Sequence, residues 1–271
     1  MSDAEVQPTV LDWVLEFLSR PFVAALRGLD DLGATVMLGA SAIAWLFRRP
    51  FRFSQFVNSL DFIGVGSTFI VSLVGLFTGM AFTVSTIVGF RQFSAENMVG
   101  GVVALALARE LAPVLAAVVV TARAGSTMAS ELGNMRVTEQ IDAITTMGVS
   151  PIQYLVVPRM LGSVLMVPLL SVMFGIAGMG GSYVVAVAWQ GIDPGQFFAK
   201  VQQFLHVPDM RMCLTKSAVF GLLVSVICCK KGFHASGGAR GVGEATAKGV
   251  VASIVAIFAA DYVLTTLLTD L

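Results

Sequence analysis

FIGVGSTFIVSLVGLFTGMAFTVSTIVGF, residues 62–90, runs for 29 residues without one charged side chain. A helix crosses the ~30 Å hydrocarbon core of a bilayer with about 20 mostly apolar residues, so this stretch is long enough to span. Its apolar residues are continuous and do not alternate, which reads as a helix and not as a strand of a membrane barrel. The pattern recurs along the chain. Asn97–Ala122 is apolar except for Arg109–Glu110. Met160–Ile192 is free of charge and longer than one span needs, which predicts a tilt or a break near Gly178–Gly181. Arg211–Cys229 is interrupted only by Lys216, and Gly249–Leu268 only by Asp261. The fold class is therefore an all-α integral membrane protein with five spans, at about 62–90, 97–122, 160–189, 211–229 and 249–268.

Composition agrees with this reading. Of 271 residues 56% are apolar and 13% charged, with 17 Lys+Arg against 17 Asp+Glu. A soluble domain carries about 25% charge. Disordered chains and nucleic-acid binders need charge that is missing here. Cys213, Cys228 and Cys229 lie in apolar sequence with no CxxC, so neither a disulfide framework nor a metal site is expected. Asp3, Glu5, Asp12 and Glu16 precede any long apolar run, unlike a cleavable signal. Polar inserts of about 30 residues are too short for a separate domain. The chain divides into an N-terminal interfacial segment, 1–52, and a transmembrane domain, 53–271.

Within the first segment, Thr9 with Asp12 resembles a capping box, and Leu11, Val14, Leu15 and Leu18 share a helical face that Pro21 interrupts. Leu32–Phe47 is uncharged but short for a span. It ends in Arg48, Arg49, Phe51 and Arg52, a cluster suited to lipid head groups. An amphipathic segment in the interface follows, and a sixth span at 32–47 is the alternative. Positive charge collects on the N-terminal side and in loops 123–159 and 230–248, while the other side carries only Arg91, Lys200 and Arg211. The positive-inside rule puts the N-terminus in the cytoplasm and the C-terminus outside.

Several chemistries are absent. There is no Gly-Lys pair and hence no phosphate-binding P-loop, and no HExxH or GxSxG. Gly237–Gly243 is glycine-rich without the GxGxxG spacing and reads as a flexible loop. What needs explaining is charge at bilayer depth, where each ion costs at least ~2.5–3.5 kcal/mol. Arg109, Glu110, Lys216 and Asp261 either pair internally, for example Glu110 with Lys216, or line a polar site for the head group of an amphiphile. Both satisfy the same electrostatic demand. Gly75 and Gly79 form a GxxxG, and Gly178 and Gly181 lie in small-xxx-small pairs, spacing that lets helices approach within one chain or across a dimer seam.

The loop after the second span carries a short amphipathic helix, about 131–147. Val137, Ile141 and Ile144 form its apolar face, Arg136, Glu139, Gln140 and Asp142 its polar one, and Gly148 and Pro151 end it. Such a helix suits the docking of a soluble subunit.

Ala108-Arg109-Glu110-Leu111-Ala112-Pro113, Ala122-Arg123-Ala124-Gly125-Ser126, Met135–Ala143 and Met147-Gly148-Val149-Ser150-Pro151 together resemble the MlaE-type (YrbE-like) permease family. Pro158-Arg159, Gly180-Gly181-Ser182, Lys216–Phe220 and Asp261–Thr265 fit the same pattern, and the match runs from about Phe51 to Leu268. Ala112 stands where the family commonly has Gly. The resemblance implies a permease subunit of an ABC transporter that moves phospholipid or a related lipid, in a bacterial inner membrane with the C-terminus periplasmic. It implies a homodimer, two cytoplasmic ATPase subunits that bind ATP and Mg, and a hexameric MCE-domain protein on the periplasmic side. The chain itself is then no enzyme and holds no cofactor. Arg136, Glu139, Gln140 and Asp142 would meet the ATPase, and Arg109, Glu110 and Lys216 would approach a lipid cavity at the dimer interface. The competing reading is an ion-coupled or passive carrier without an ATPase, with Arg109, Glu110 and Asp261 as its polar pathway.

Overall fold

A computed structural model of the chain describes residues 30–46 and 53–269, and these are helical with short connections and no strand. Helix α1 covers residues 30–46. Among the described residues, five helices are long and apolar enough to cross a membrane: α2 (Phe53–Arg91), α3 (Glu96–Val137), α5 (Ile152–Trp189), α7 (Val207–Phe233) and α8 (Gly238–Leu268). Between them lie two short helices, α4 (Gln140–Thr146) and α6 (Pro194–Phe204), at opposite ends of the bundle. The fold class is that read from composition. The Thr9–Asp12 cap, the face formed by 11–18 and the Arg48, Arg49, Arg52 cluster lie outside the described residues.

The helices exceed the apolar runs. With 42 residues, α3 is about 63 Å long, twice the hydrocarbon thickness, so its last turns project beyond the bilayer. The Gly237–Gly243 stretch is not a loop. Gly237 and Gly238 turn with φ of 87° and 69°, and α8 begins at Gly238, eleven residues before the apolar run. Nor is α5 broken at Gly178–Gly181. It continues through them and ends in a π turn, Val184–Trp189.

Those glycines explain why. At the crossing of α2 and α5, a Cβ on Gly79 would lie 2.0 Å from the Gly178 carbonyl oxygen, and one on Gly181 would lie 2.4 Å from that of Leu76. Gly75 faces the Phe174 carbonyl and Gly178 faces that of Gly75. The four residues form one backbone-to-backbone contact inside the chain. Thr83 seals it by donating to Ser182 at 2.7 Å. Around it Val71, Leu107, Val120, Phe174, Phe220 and Ile257 make the main core.

A second core occupies the α4 end, where Leu132, Ile141, Leu155, Met160 and Val226 enclose Ala42 of α1. Helix α1 lies against α7, with Gly39 opposite Val226. Its Asp31 pairs with Lys230, at 2.6 Å, and with Lys231. The Lys230 hydrogen bond, followed by that of Lys231, holds the Asp31 carboxyl below the ordinary 3.8.

Candidate functional site

Arg109 and Glu110 sit about 20 Å along α3, inside a π turn, Leu107–Leu111. The wide turn sends the two adjacent side chains to different partners. Glu110 Oε2 meets Lys216 Nζ at 2.9 Å, and Lys216 also pairs with Asp261 Oδ1 at 2.9 Å. The ammonium further donates to Thr265 Oγ1 at 2.7 Å and to the Arg109 carbonyl at 3.1 Å. One cation thus ties α3, α7 and α8 together. Arg109 turns instead to the start of α7, where its Nε donates to Asp209 Oδ1 at 2.6 Å. The other oxygen of Asp209 accepts the His206 backbone N–H at 2.8 Å and caps that helix.

Exposure divides these ions into two layers. The Lys216 side chain is 0% exposed and that of Asp209 2%, whereas Arg109 and Glu110 remain 41% and 42% exposed. A buried ion without its partner is prohibitive in a membrane, so Lys216 and Asp209 serve as fixed counter-charges. Arg109 commits only Nε, leaving the planar donor pair at its tip without a protein acceptor among the described residues. Such a tip suits a planar or tetrahedral oxyanion.

Beside the cluster lies an apolar cavity of about 260 Å³, lined by Leu107, Ala108 and Ala112 of α3, Gly175 and Ile176 of α5, and Met210 and Cys213 of α7. Arg109, Glu110 and Lys216 do not line it themselves. Ala108 and Met210, which do, are the chain neighbours of Arg109 and Asp209. Of the two sequence readings of the charges, the structure shows the internal pairing of Glu110 with Lys216, and the apolar hollow is lined by neighbouring residues and not by the ions themselves.

At the opposite end, the helix expected over 131–147 is two helices. α3 stops at Val137, and Glu139 takes the left-handed conformation with φ 60° before α4 starts at Gln140. The break exposes Val137 while Ile141 stays buried, so these two do not share a face. Arg136, Glu139, Gln140 and Asp142 are all exposed. Arg136 closes the break with a 2.5 Å ion pair to Asp142. Gly148, with φ 75°, ends α4: its N–H bonds to the Thr145 carbonyl and that of Val149 to Ile144, a Schellman close. A left-handed non-glycine residue is strained, and strain of this kind collects at functional positions.

Sequence reasoning passed over Asp209 and Thr265. A capping box over His206–Asp209 with Pro208 at the helix start was the available signal for Asp209. Thr265 Oγ1 sits 2.8 Å from the Asp261 carbonyl one turn before it, an exchange that spacing alone does not distinguish from an ordinary helical threonine.

A helical bundle with five membrane-length helices, ion-paired side chains at bilayer depth and the short exposed helix α4 folded back at the end of α3 is a polytopic α-helical membrane protein. The family model described as Permease MlaE matches residues 56–267, and the chain belongs to that family. It is 42% identical over 212 residues to a "probable ABC transporter permease protein" of Synechocystis, covering 78% of this chain and 81% of that one. It is 36% identical over 238 residues to a protein of the same description from Rickettsia conorii, covering 88% and 92%. With "Protein TRIGALACTOSYLDIACYLGLYCEROL 1, chloroplastic" of Arabidopsis thaliana it shares 37% identity over 228 residues, 84% of this chain and 65% of that protein.

Proposed function

We propose that this chain is the permease subunit of an ABC transporter, driven by a separate ATPase, and that it moves phospholipid or a related lipid between the inner membrane and a periplasmic MCE-domain carrier. The membership and the description shared by its Synechocystis and Rickettsia relatives support the ABC assignment. The lipid assignment is carried by one observation: half-open Arg109 and Glu110, backed by buried Lys216 and Asp209, stand beside an apolar cavity. That is a polar head-group contact next to a place for an acyl chain. The Arabidopsis relative, whose name contains that of a glycolipid, favours the same cargo class.

In this reading α4 faces the cytoplasm, where positive charge is concentrated, and Glu139, with Arg136, Gln140 and Asp142, forms the surface the ATPase grips. Two copies of the chain enclose the lipid path, and hydrolysis in the partner rocks the helices as rigid bodies. Glu139→Lys tests this. The purified complex should retain its permease but lose lipid-stimulated ATP hydrolysis, by about tenfold for an interface charge reversal. Full stimulation in that variant, or purification of the permease with no nucleotide-hydrolysing subunit, speaks for the partner-independent carrier.

A further inference from the structure

We propose that Arg123 is a releasable latch between α3 and α2, through which the α3–α4 hairpin controls the α2 span during transport. The idea rests on the ABC permease reading, although its structural half can be tested without it. Arg123 lies in the π turn Thr121–Gly125 of α3 and faces the π turn Asp61–Val65 of α2. Its Nη1 donates to the Phe62 carbonyl at 2.7 Å and to Ser67 Oγ at 3.0 Å, and its guanidinium lies over the Phe62 ring, 5.3 Å from the centroid. Residue 66 is a glycine on which a Cβ would sit 2.1 Å from Arg123 Nη2. A carbonyl, a hydroxyl, a ring and a missing side chain on one short piece of α2 are thus all fitted to one guanidinium.

The way this cation is held sets it apart. Among the described residues no carboxylate pairs with Arg123; its partners are dipoles and an aromatic face. Such partners hold a guanidinium in place without the mutual dependence of a buried ion pair, so the contact can open without stranding an opposite charge. π turns are one-residue insertions that recur at functional places in helices, and here two of them meet. Beyond the latch, α3 runs unbroken to Val137 and the Glu139 break, and α2 runs unbroken to the Gly75–Gly79 crossing with α5. Movement of the hairpin reaches the spans through this point.

Hydrogen exchange and transport read together decide the matter, on the assembled complex in nanodiscs and in vesicles of phosphatidylethanolamine and phosphatidylglycerol carrying a fluorescent phospholipid. Arg123→Ala and Gly66→Ala should each speed amide exchange over residues 63–67 by about tenfold or more. Each should lower ATP-driven transfer of the fluorescent lipid about fivefold or more, the scale of an allosteric coupling. The double variant should be no worse than either single one, because both break one contact. Arg123→Lys, which keeps the charge but not the planar fork, should fall between. If Arg123→Ala does not assemble, Gly66→Ala and Arg123→Lys carry the same comparison. Unchanged exchange overturns the latch; so does faster exchange with full transfer, and so do losses that multiply in the double variant. Absence of an ATPase partner instead defeats the ABC reading, and the exchange comparison still reports on the contact.

Discussion

Lys216 and Arg123 are both cations inside the bundle, and they are held by opposite means. Lys216, in the half of the bundle towards α6, is fully buried and bound to two carboxylates from two other helices. Arg123, towards α4, is bound to a carbonyl, a hydroxyl and a phenyl ring. Removing either partner of a buried ion pair strands a charge, whereas opening a dipolar contact leaves no opposite charge behind, only the guanidinium to find new partners. The first arrangement fixes three helices relative to each other. The second is the contact proposed to release, so that two helices can part. A bundle that must keep a polar site assembled while its other end moves needs both.

The comparison is most easily broken at Lys216. Lys216→Met should cost about 3–5 kcal/mol of stability, read as a large drop in the melting temperature in detergent, because Glu110 and Asp261 lose their counter-charge. Adding Glu110→Gln and Asp261→Asn should restore most of that loss. An unchanged melt in the single variant means that the ions do not organise the bundle. Gly79→Ala comes next. A methyl 2.0 Å from the Gly178 carbonyl must push α2 from α5, at about 1–3 kcal/mol by the same measurement.

The smallest effect concerns α1, and its sign follows from Asp31. A carboxyl held below its ordinary 3.8 stabilises the folded state at pH above that value, and the contribution disappears as pH falls through the lowered one. The α1–α7 contact, read as the separation of spin labels placed on the two helices, should therefore hold unchanged from pH 8 to 5 and weaken below 3.8. The half-exposed carboxylate limits the effect to about 1 kcal/mol or less, and salt should diminish it. Weakening near pH 6 would point to another group.

What the sequence made legible follows the same division. Long apolar runs, two of them free of charge and the others interrupted by one or two ions, revealed all five spans, because lipid exposure leaves little choice of residue type. The Glu110–Lys216 pair was legible because opposite charges at bilayer depth must find each other. Helix ends were not: polar sequence such as Glu131–Val137 and Gly238–Lys248 continues a helix beyond the membrane with no change in its own pattern. The break at Glu139 was hidden because a left-handed glutamate leaves no mark on periodicity. Arg123 stood out only as part of a family motif, and its contacts were hidden because backbone and ring partners carry no complementary charge to search for.

We propose that the buried ions hold the site and the half-open ones meet the lipid. It is tested most directly by Arg109→Ala in reconstituted vesicles containing the ATPase and a fluorescent phospholipid. Because buried Asp209 would lose its counter-charge and keep only the His206 N–H, Asp209→Asn accompanies Arg109→Ala, and the melting temperature of the paired variant should move little. Transfer should fall by about tenfold, the worth of a charged contact to a head group. Transfer at the unaltered rate from a stable, assembled complex of the paired variant contradicts the claim and leaves the cluster a structural brace.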